Sequence, residues 1–320
     1  MSTLWNYFKK SGGVKILRQY WNAGVLFSAI IQFVLLGRSK TALMLLREIV
    51  TLKTQNKLCR KYNNVLEQFD RNYKGKSHTR SKKIWIFWWQ GIENAPVLVQ
   101  KCYNSVKENL ADWEIILVTE KNYSEYANFP SYIIQKLQKG QITLTHFSDL
   151  LRLELLINHG GLWLDSTVLC TSASIPISII NSDLFVYQIL KPGADGHATI
   201  MSSWCMYAKT NNKILMATRE LLYEYWKKRT SLVDYFLLHQ FFSIVCEHYP
   251  EEAQKIPPFS SSIPHILLLH LFDEYNEQYW TDLKRMACFH KLTYKLEGME
   301  TDKMGTYYDM IIKKRQENGI

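Results

Sequence analysis

A chain of 320 residues that is 47 % hydrophobic and 21 % charged can bury a sizeable core, as one large domain or one domain with an appended helical region, and is not a disordered chain. Its net charge of +10 is uneven: residues 1–83 hold 17 Lys and Arg against three acids (Glu48, Glu67, Asp70), a net of +14, and the other residues hold 22 bases and 26 acids, a net of −4. Such a basic segment binds phosphates, either lipid headgroups or nucleic acid, but no zinc finger, RNA-binding sheet motif or basic DNA-reading helix accompanies it, so nucleic acid is the weaker reading.

The N-terminal region carries Lys9, Lys10, Lys15 and Arg18, then the apolar run GVLFSAIIQFVLLG. That run is about 13 residues, short of the ~20 a bilayer span needs, and no small-residue cleavage site follows it, so a secretory signal is not expected. It reads either as a core helix or as an interfacial helix beside a basic patch on an anionic membrane. TALMLLREIVTLKTQNKLCRKYNNVLEQF continues with apolar residues at three- and four-residue steps, a helical pattern. RNYKGKSHTRSKK then reads as a linker. The expected division is a basic amphipathic helical region over 1–75 and one domain over 76–320.

Beyond the linker, strands are predicted at 82–91 (KKIWIFWWQG), 113–119, 161–169 (GLWLDSTVL), 183–190 and 203–210. Helices are predicted at 95–110, 131–140, 145–158, 211–229, 231–249 and 272–286, followed by a strand-to-loop exit over 287–296. Strands alternating with helices argue for a mostly parallel sheet with helices on its flanks, whose ligands bind past the carboxyl ends of the strands. WWQG and LDST both sit at such ends. The six cysteines, at 59, 102, 170, 205, 246 and 288, form no CxxC pair and read as reduced thiols of a cytosolic protein.

A carboxylate ending an apolar strand, as Asp165 does, faces a desolvation cost unless it is paired. It either caps a turn with Ser166 or Thr167 or serves a hard cation, since a nucleotide-bound Mn²⁺ or Mg²⁺ needs only one or two protein carboxylates. In the preceding helix Asp149 and Arg152 share a face at i, i+3. As a surface pair they would be worth ~0–1 kcal/mol. However, that helix is apolar nearly all round (Leu150, Leu151, Leu153, Leu155, Leu156, Ile157) and so is predicted to be buried. A polyhydroxylated, phosphorylated ligand would supply the partners that buried charges need. His159-Gly160-Gly161 turns tightly from helix to strand and brings Asp149, Arg152 and Asp165 toward one cleft.

The order of WWQG after a strand, then Ser148-Asp149-x-x-Arg152, then Gly160-Gly161-x-Trp163-x-Asp165-x-Thr167 resembles the capsular polysaccharide synthesis glycosyltransferases. These belong with the DXD-motif sugar transferases of glycosyltransferase family 32. The resemblance runs from about Lys82 to Lys295. It implies an α/β fold of the GT-A type, a Rossmann-like mixed sheet flanked by helices, following the N-terminal helical region. It also implies a UDP-sugar donor with Mn²⁺ or Mg²⁺ as cofactor, and assigns Asp165 as the first carboxylate of the DXD motif. Here the motif reads Asp-Ser-Thr, so Thr167 stands where the second carboxylate would be, and His290 matches a C-terminal metal ligand. Lys291 or Lys295 would reach the diphosphate. Trp88 would stack on the base, with Trp89 and Gln90 beside it, while Trp85 or Trp89 fills the core. Asp149 and Arg152 would hold sugar hydroxyls and phosphate. Asp234 would face the acceptor or the reacting sugar, or else sit at a helix N-terminus favoured by the dipole; for His239 a core or interhelical role is expected.

The resemblance further implies transfer of a hexose, galactose or glucose, with retention to an α-linkage, onto a polyprenyl-diphosphate-linked oligosaccharide in bacterial capsule synthesis. The enzyme would be cytoplasmic, held on the anionic inner face of the plasma membrane by its basic N-terminal region. A homo-oligomer is left open, and no nucleic-acid partner is expected. The competing reading is a catalytically decayed transferase-fold scaffold at the membrane surface.

Overall fold

Seven strands organise the computed structural model, which describes residues 13–190 and 199–313: β1 (Lys83–Phe87), β2 (Glu114–Val118), β3 (Gly161–Asp165), β4 (Val168–Cys170), β5 (Leu184–Gln188), β6 (Met201–Ala208) and β7 (Phe289–Lys291). Lys9 and Lys10 of the expected basic patch lie outside the described residues. Five strands form one sheet in the order β2-β1-β3-β6-β5. β1 pairs in parallel with both β2 and β3, and β6 runs antiparallel to β3 and β5. The sheet is therefore mixed, with β6 alone running against the other four strands.

The longer helices are α1 (Gly13–Asn22), α2 (Leu26–Leu36), α3 (Lys40–Asn72), α4 (Val97–Asn109), α5 (Ser131–Gln138), α6 (Leu144–His159), α7 (Lys213–Lys228), α8 (Leu237–His248) and α9 (Glu277–Met286). Side chains alternate across a strand. In β1 and β3, Trp85 and Trp163 enter the larger core with α6, α7 and α8, while Ile84, Ile86, Leu162 and Leu164 enter the core on the other face with Val106 and Leu110. Neither face of these central strands meets water, which is why they read as near-continuous apolar runs.

Three expectations are revised by packing. GLWLDSTVL is two strands, because the chain leaves the main sheet after Asp165 and β4 pairs antiparallel with β7 in a separate two-stranded sheet. The helix expected from 231 starts at Leu237, because the Asp234 side chain accepts a hydrogen bond from the Phe236 N–H at 2.7 Å and closes a turn there. The linker is shorter than 71–83, since α3 continues to Asn72 and Thr79 is anchored on Thr210: the Thr210 N–H donates to the Thr79 carbonyl and the Thr79 N–H to Thr210 Oγ1. Leu58, Tyr62 and Leu66 of α3 join the main core, so packing is continuous across residue 75.

The passage from α6 into β3 depends on two glycines with positive φ, Gly160 (+65°) and Gly161 (+99°). A Cβ on Gly161 would lie 2.3 Å from the Lys83 carbonyl oxygen of the paired strand β1. Substitution there combines an unfavourable backbone with a backbone clash. Gly161→Ala is expected to lower stability by about 2 kcal/mol or more in urea unfolding, whereas Gly140→Ala (φ +67°, open space) should cost about 1 kcal/mol. Equal costs at the two sites would contradict the close strand approach.

Candidate active site

Helix α6 starts where the Thr143 hydroxyl accepts the His146 N–H, and nearly all of its residues are buried. It carries two groups of charges into the interior. Glu154 faces α7, accepting from Arg219 Nη1 at 3.2 Å and from the Tyr223 hydroxyl at 2.6 Å. Asp149 and Arg152 face the end of β3: Arg152 Nη2 lies 3.2 Å from Asp149 Oδ1 and 3.6 Å from Asp165 Oδ1. The guanidinium also donates to the Ser203 carbonyl at 2.6 Å and to the Ser148 carbonyl and hydroxyl, and stacks 4.9 Å from the Trp163 ring centroid. A planar five-donor group is the side chain that can fill so many directions at once.

Asp165 is the meeting point. Its Oδ1 accepts from Trp163 Nε1 at 3.0 Å, the two side chains sharing a face of β3 at i, i+2. Its Oδ2 accepts from Lys291 Nζ at 2.9 Å, and the same ammonium reaches Thr167 Oγ1 at 2.6 Å. Lys291 gets there because β4 and β7 set it opposite Val168. Burial pushes the Asp165 carboxyl up, but Lys291, Arg152 and the Trp163 hydrogen bond together hold it down at about 2. Asp149 goes the other way: burial dominates the opposing pull of Arg152, and with the charge of Asp165 adding to it the carboxyl rises to about 7. His146 Nδ1 stands 3.4 Å from Asp149 Oδ2, and burial followed by the Arg152 charge holds its ring neutral, down at about 4.

Asp149 and Arg152 are buried behind Asp165, whereas the Asp165 and Lys291 side chains keep 27 % and 20 % of their surface exposed. The accessible face is thus a carboxylate and an ammonium side by side. Phe87 is the β1 partner of Asp165, so Trp88 leaves the sheet immediately beside this face. The Trp88 ring meets Tyr294 edge to face at 5.3 Å. Tyr235, half exposed, lies within electrostatic reach of Asp149, Asp165 and Arg152, and its ring is 6.4 Å from His146.

The other expected residues are spread more widely. Trp85 is fully buried, donating from Nε1 to the Gly160 carbonyl, and Trp89 packs among Phe87, Tyr123 and Phe147. Gln90 is exposed on the turn after β1. Lys295 is exposed in the segment after β7. Asp234 holds the turn before α8, and burial raises its carboxyl. His239 is pushed down to about 3 by burial and then by Arg152. His290 is paired with Leu169, so it leaves β7 on the face opposite to Lys291; its ring packs 5.7 Å from Trp280 and its Nε2 lies 3.2 Å from Thr171 Oγ1.

This arrangement decides how the expected metal ligands fit. A hard divalent cation takes oxygen donors. Asp165 Oδ2 and Thr167 Oγ1 already share the Lys291 ammonium, Asp165 Oδ1 is shared by Trp163 and Arg152, and His290 is turned to the far face. Among the described residues there is no group of three or more His, Cys, Asp or Glu side chains that could hold a metal ion. His290 therefore stands apart from Asp165 and Thr167, which share the Lys291 ammonium.

Tyr235 and Tyr294 carry no signal of their own in the sequence, although each adjoins a residue that does, Asp234 in one case and the Lys291–Lys295 segment in the other. A separate hollow lined by Tyr73, His78, Asp183, Asn212, Lys213 and Lys255 opens where β5 begins, at the opposite end of the strands from Asp165.

A family model described as "Capsular polysaccharide synthesis protein" matches residues 43–311, a range that holds every member of the Asp165 network. The chain is 24 % identical over 220 residues to O-glycosyltransferase braB of Annulohypoxylon truncatum, which covers 62 % of this chain and 50 % of that protein. It is 26 % identical over 176 residues to O-glycosyltransferase PaGT of Phomopsis amygdali, covering 47 % and 40 % respectively. The chain thus spans half or less of the length of these curated relatives. Among solved structures it is similar to the PaToxG glycosyltransferase, with a TM-score of 0.35 and 14 % identity over 65 % of this chain and 87 % of that one.

Two buried histidines, His146 and His290, and the half-buried His239 set a pH dependence. His146, His239 and His290 stay neutral in the fold down to about 4, 3 and 4, against the usual 6.5. The unfolded chain therefore takes up protons that the folded chain refuses, and stability falls as pH drops from 6.5 toward 4, by on the order of 1 kcal/mol per pH unit per histidine. Asp149 opposes this: its raised carboxyl is already protonated in the fold below about 7, so it adds stability as pH falls toward the usual 3.8. Thermal unfolding from pH 6.5 to 4.5 should show a smaller drop in Tm for His290→Gln than for the unmodified chain, and a larger drop for Asp149→Asn. The reverse order would contradict the assigned protonation states.

Proposed function

The chain belongs to the capsular polysaccharide synthesis protein family, and from that premise we propose that it is a glycosyltransferase moving a hexose from a UDP-sugar to a hydroxyl of a lipid-linked glycan. The observation that carries this reading is the partly exposed pairing of Asp165 with Lys291 at the carboxyl end of β3, with Trp88 following the end of β1. Carboxyl ends of strands in such sheets are where nucleotide ligands collect. An indole face suits a uracil ring. A fixed ammonium suits the charge that grows on a departing diphosphate.

In this reading the bond from the sugar C1 to the diphosphate oxygen breaks and a bond from C1 to the acceptor oxygen forms. The acceptor proton passes to the departing diphosphate oxygen on the same face, which gives retention and an α-linkage and asks for no second carboxylate. Lys291 supplies the counter-charge to the diphosphate, a role that the family resemblance gives to a divalent cation. Asp165, held ionised, accepts from a ribose or sugar hydroxyl. Arg152 is a positioning residue: buried and tied to Ser148, Ser203 and Asp149, it fixes the carboxylates without itself reaching the opening. Tyr235, Tyr294 and Trp88 give the donor an aromatic rim. Galactose and glucose differ in one hydroxyl orientation, and either is accommodated by this assignment.

The test is turnover of UDP-glucose and UDP-galactose, with lipid-linked and simple hydroxyl acceptors, in EDTA and in Mn²⁺ or Mg²⁺. Asp165→Asn and Lys291→Met are each expected to lower kcat by roughly a hundredfold or more, while turnover by the unmodified chain persists in EDTA. Turnover confined to Mn²⁺ or Mg²⁺ would return the counter-charge to a divalent cation. Failure of every donor to turn over, with no thermal shift by UDP, would favour the decayed scaffold.

A further inference from the structure

Helix α2 is packed on one side only. Val25 and Ala29 meet Leu46 and Val50 of α3 in a small core of their own. The other side turns Phe27, Ile30, Ile31, Val34 and Leu35 to the outside, at i, i+3, i+4, i+7 and i+8, which is one continuous helical face. Phe27, Val34 and Leu35 keep 79 %, 74 % and 73 % of their surface exposed. Trp21 at the end of α1 and Met44 and Leu45 near the start of α3 are exposed as well. Single exposed apolar residues are ordinary on a protein surface, but a contiguous stripe of this kind marks an interaction site.

Charge identifies what the stripe meets. Residues 1–47 contain seven Lys and Arg and no Asp or Glu. Arg38 and Lys40 lie exposed where α2 ends, and Arg18 and Arg47 are exposed on the neighbouring helices. A second copy of the chain would bring the same cations against one another, since a two-fold contact sets like patches face to face. An anionic bilayer offers both an acyl layer for the stripe and phosphates for the cations. Spanning is ruled out for this helix by its 11 residues, about 16 Å of rise, and no described helix is long and apolar enough to cross a membrane.

We propose that α2 is an in-plane insertion helix for an anionic phospholipid surface. Phe27, Ile30, Ile31, Val34 and Leu35 enter the acyl boundary, and Arg38, Lys40 and Arg47 sit at the lipid phosphates. Glycosyl transfer is not needed for this inference, although a lipid-linked acceptor would be delivered at such a surface.

Flotation of the full chain with phosphatidylcholine vesicles, with and without phosphatidylglycerol, tests it. The chain should float with the anionic vesicles and at least roughly tenfold less with the neutral ones. Phe27→Asp/Val34→Asp/Leu35→Asp should lose roughly tenfold or more of that partitioning, and Arg38→Glu/Lys40→Glu should lose a similar factor while becoming insensitive to added salt. Because these side chains are exposed, thermal unfolding and any UDP-induced thermal shift should be unchanged in both variants, which keeps membrane binding separate from donor binding. On contact with anionic vesicles the emission attributed to Trp21, taken as the difference from Trp21→Phe, should move to the blue. No flotation, equal flotation with both vesicle types, or a solution dimer that the Phe27/Val34/Leu35 substitutions dissociate would overturn the proposal.

Discussion

A single carboxylate at the end of a buried strand fixes much of this molecule. Asp165 is ionised in a largely enclosed position because three cationic or polar donors, Lys291, Arg152 and Trp163, converge on its two oxygens. A buried charge without such partners would neutralise or move. Each donor arrives by a different structural device. Trp163 comes from the strand's own period of two. Arg152 comes from a helix that must be apolar around it and turn sharply at Gly160 and Gly161. Lys291 comes from a distant segment that can pair only because the chain leaves the sheet directly after Asp165 and forms β4.

That convergence explains why neighbouring carboxyls are driven apart. Asp149, one layer deeper, sees the same Arg152 but also the fixed charge of Asp165, and burial leaves its carboxyl raised. Asp165, at the opening, stays charged. The result is a layered arrangement in which Arg152 and Asp149 are buried, while Asp165 and Lys291, with Trp88, Tyr235 and Tyr294 around them, lie toward the opening.

Local patterns in the sequence make part of this legible. The apolar strands that lead to Trp88 and Asp165, the all-round apolar α6 and the Gly160-Gly161 turn follow from periodicity and from glycine's freedom, which act over a few residues. Long-range pairing does not leave such a trace. Nothing within GLWLDSTVL announces that the strand splits in two, and nothing near His290 and Lys291 says which of two adjacent side chains faces Asp165; the pairing register of β4 with β7 decides it, and it selects the lysine. Charge counting places the basic excess in the N-terminal quarter, but only packing distinguishes the part of α3 that joins the main core, Leu58, Tyr62 and Leu66, from the α2 face that stays outside.

The claim on which the rest turns is that the donor's diphosphate lies against Lys291 with its base at Trp88. A crystal structure with UDP bound measures this directly. The account predicts a phosphate oxygen within hydrogen-bonding distance of Lys291 Nζ, the uracil ring against Trp88, and a hydroxyl donating to Asp165. Nucleotide density in the hollow between His78, Lys213 and Lys255, with the Asp165–Lys291 contact undisturbed, would contradict it.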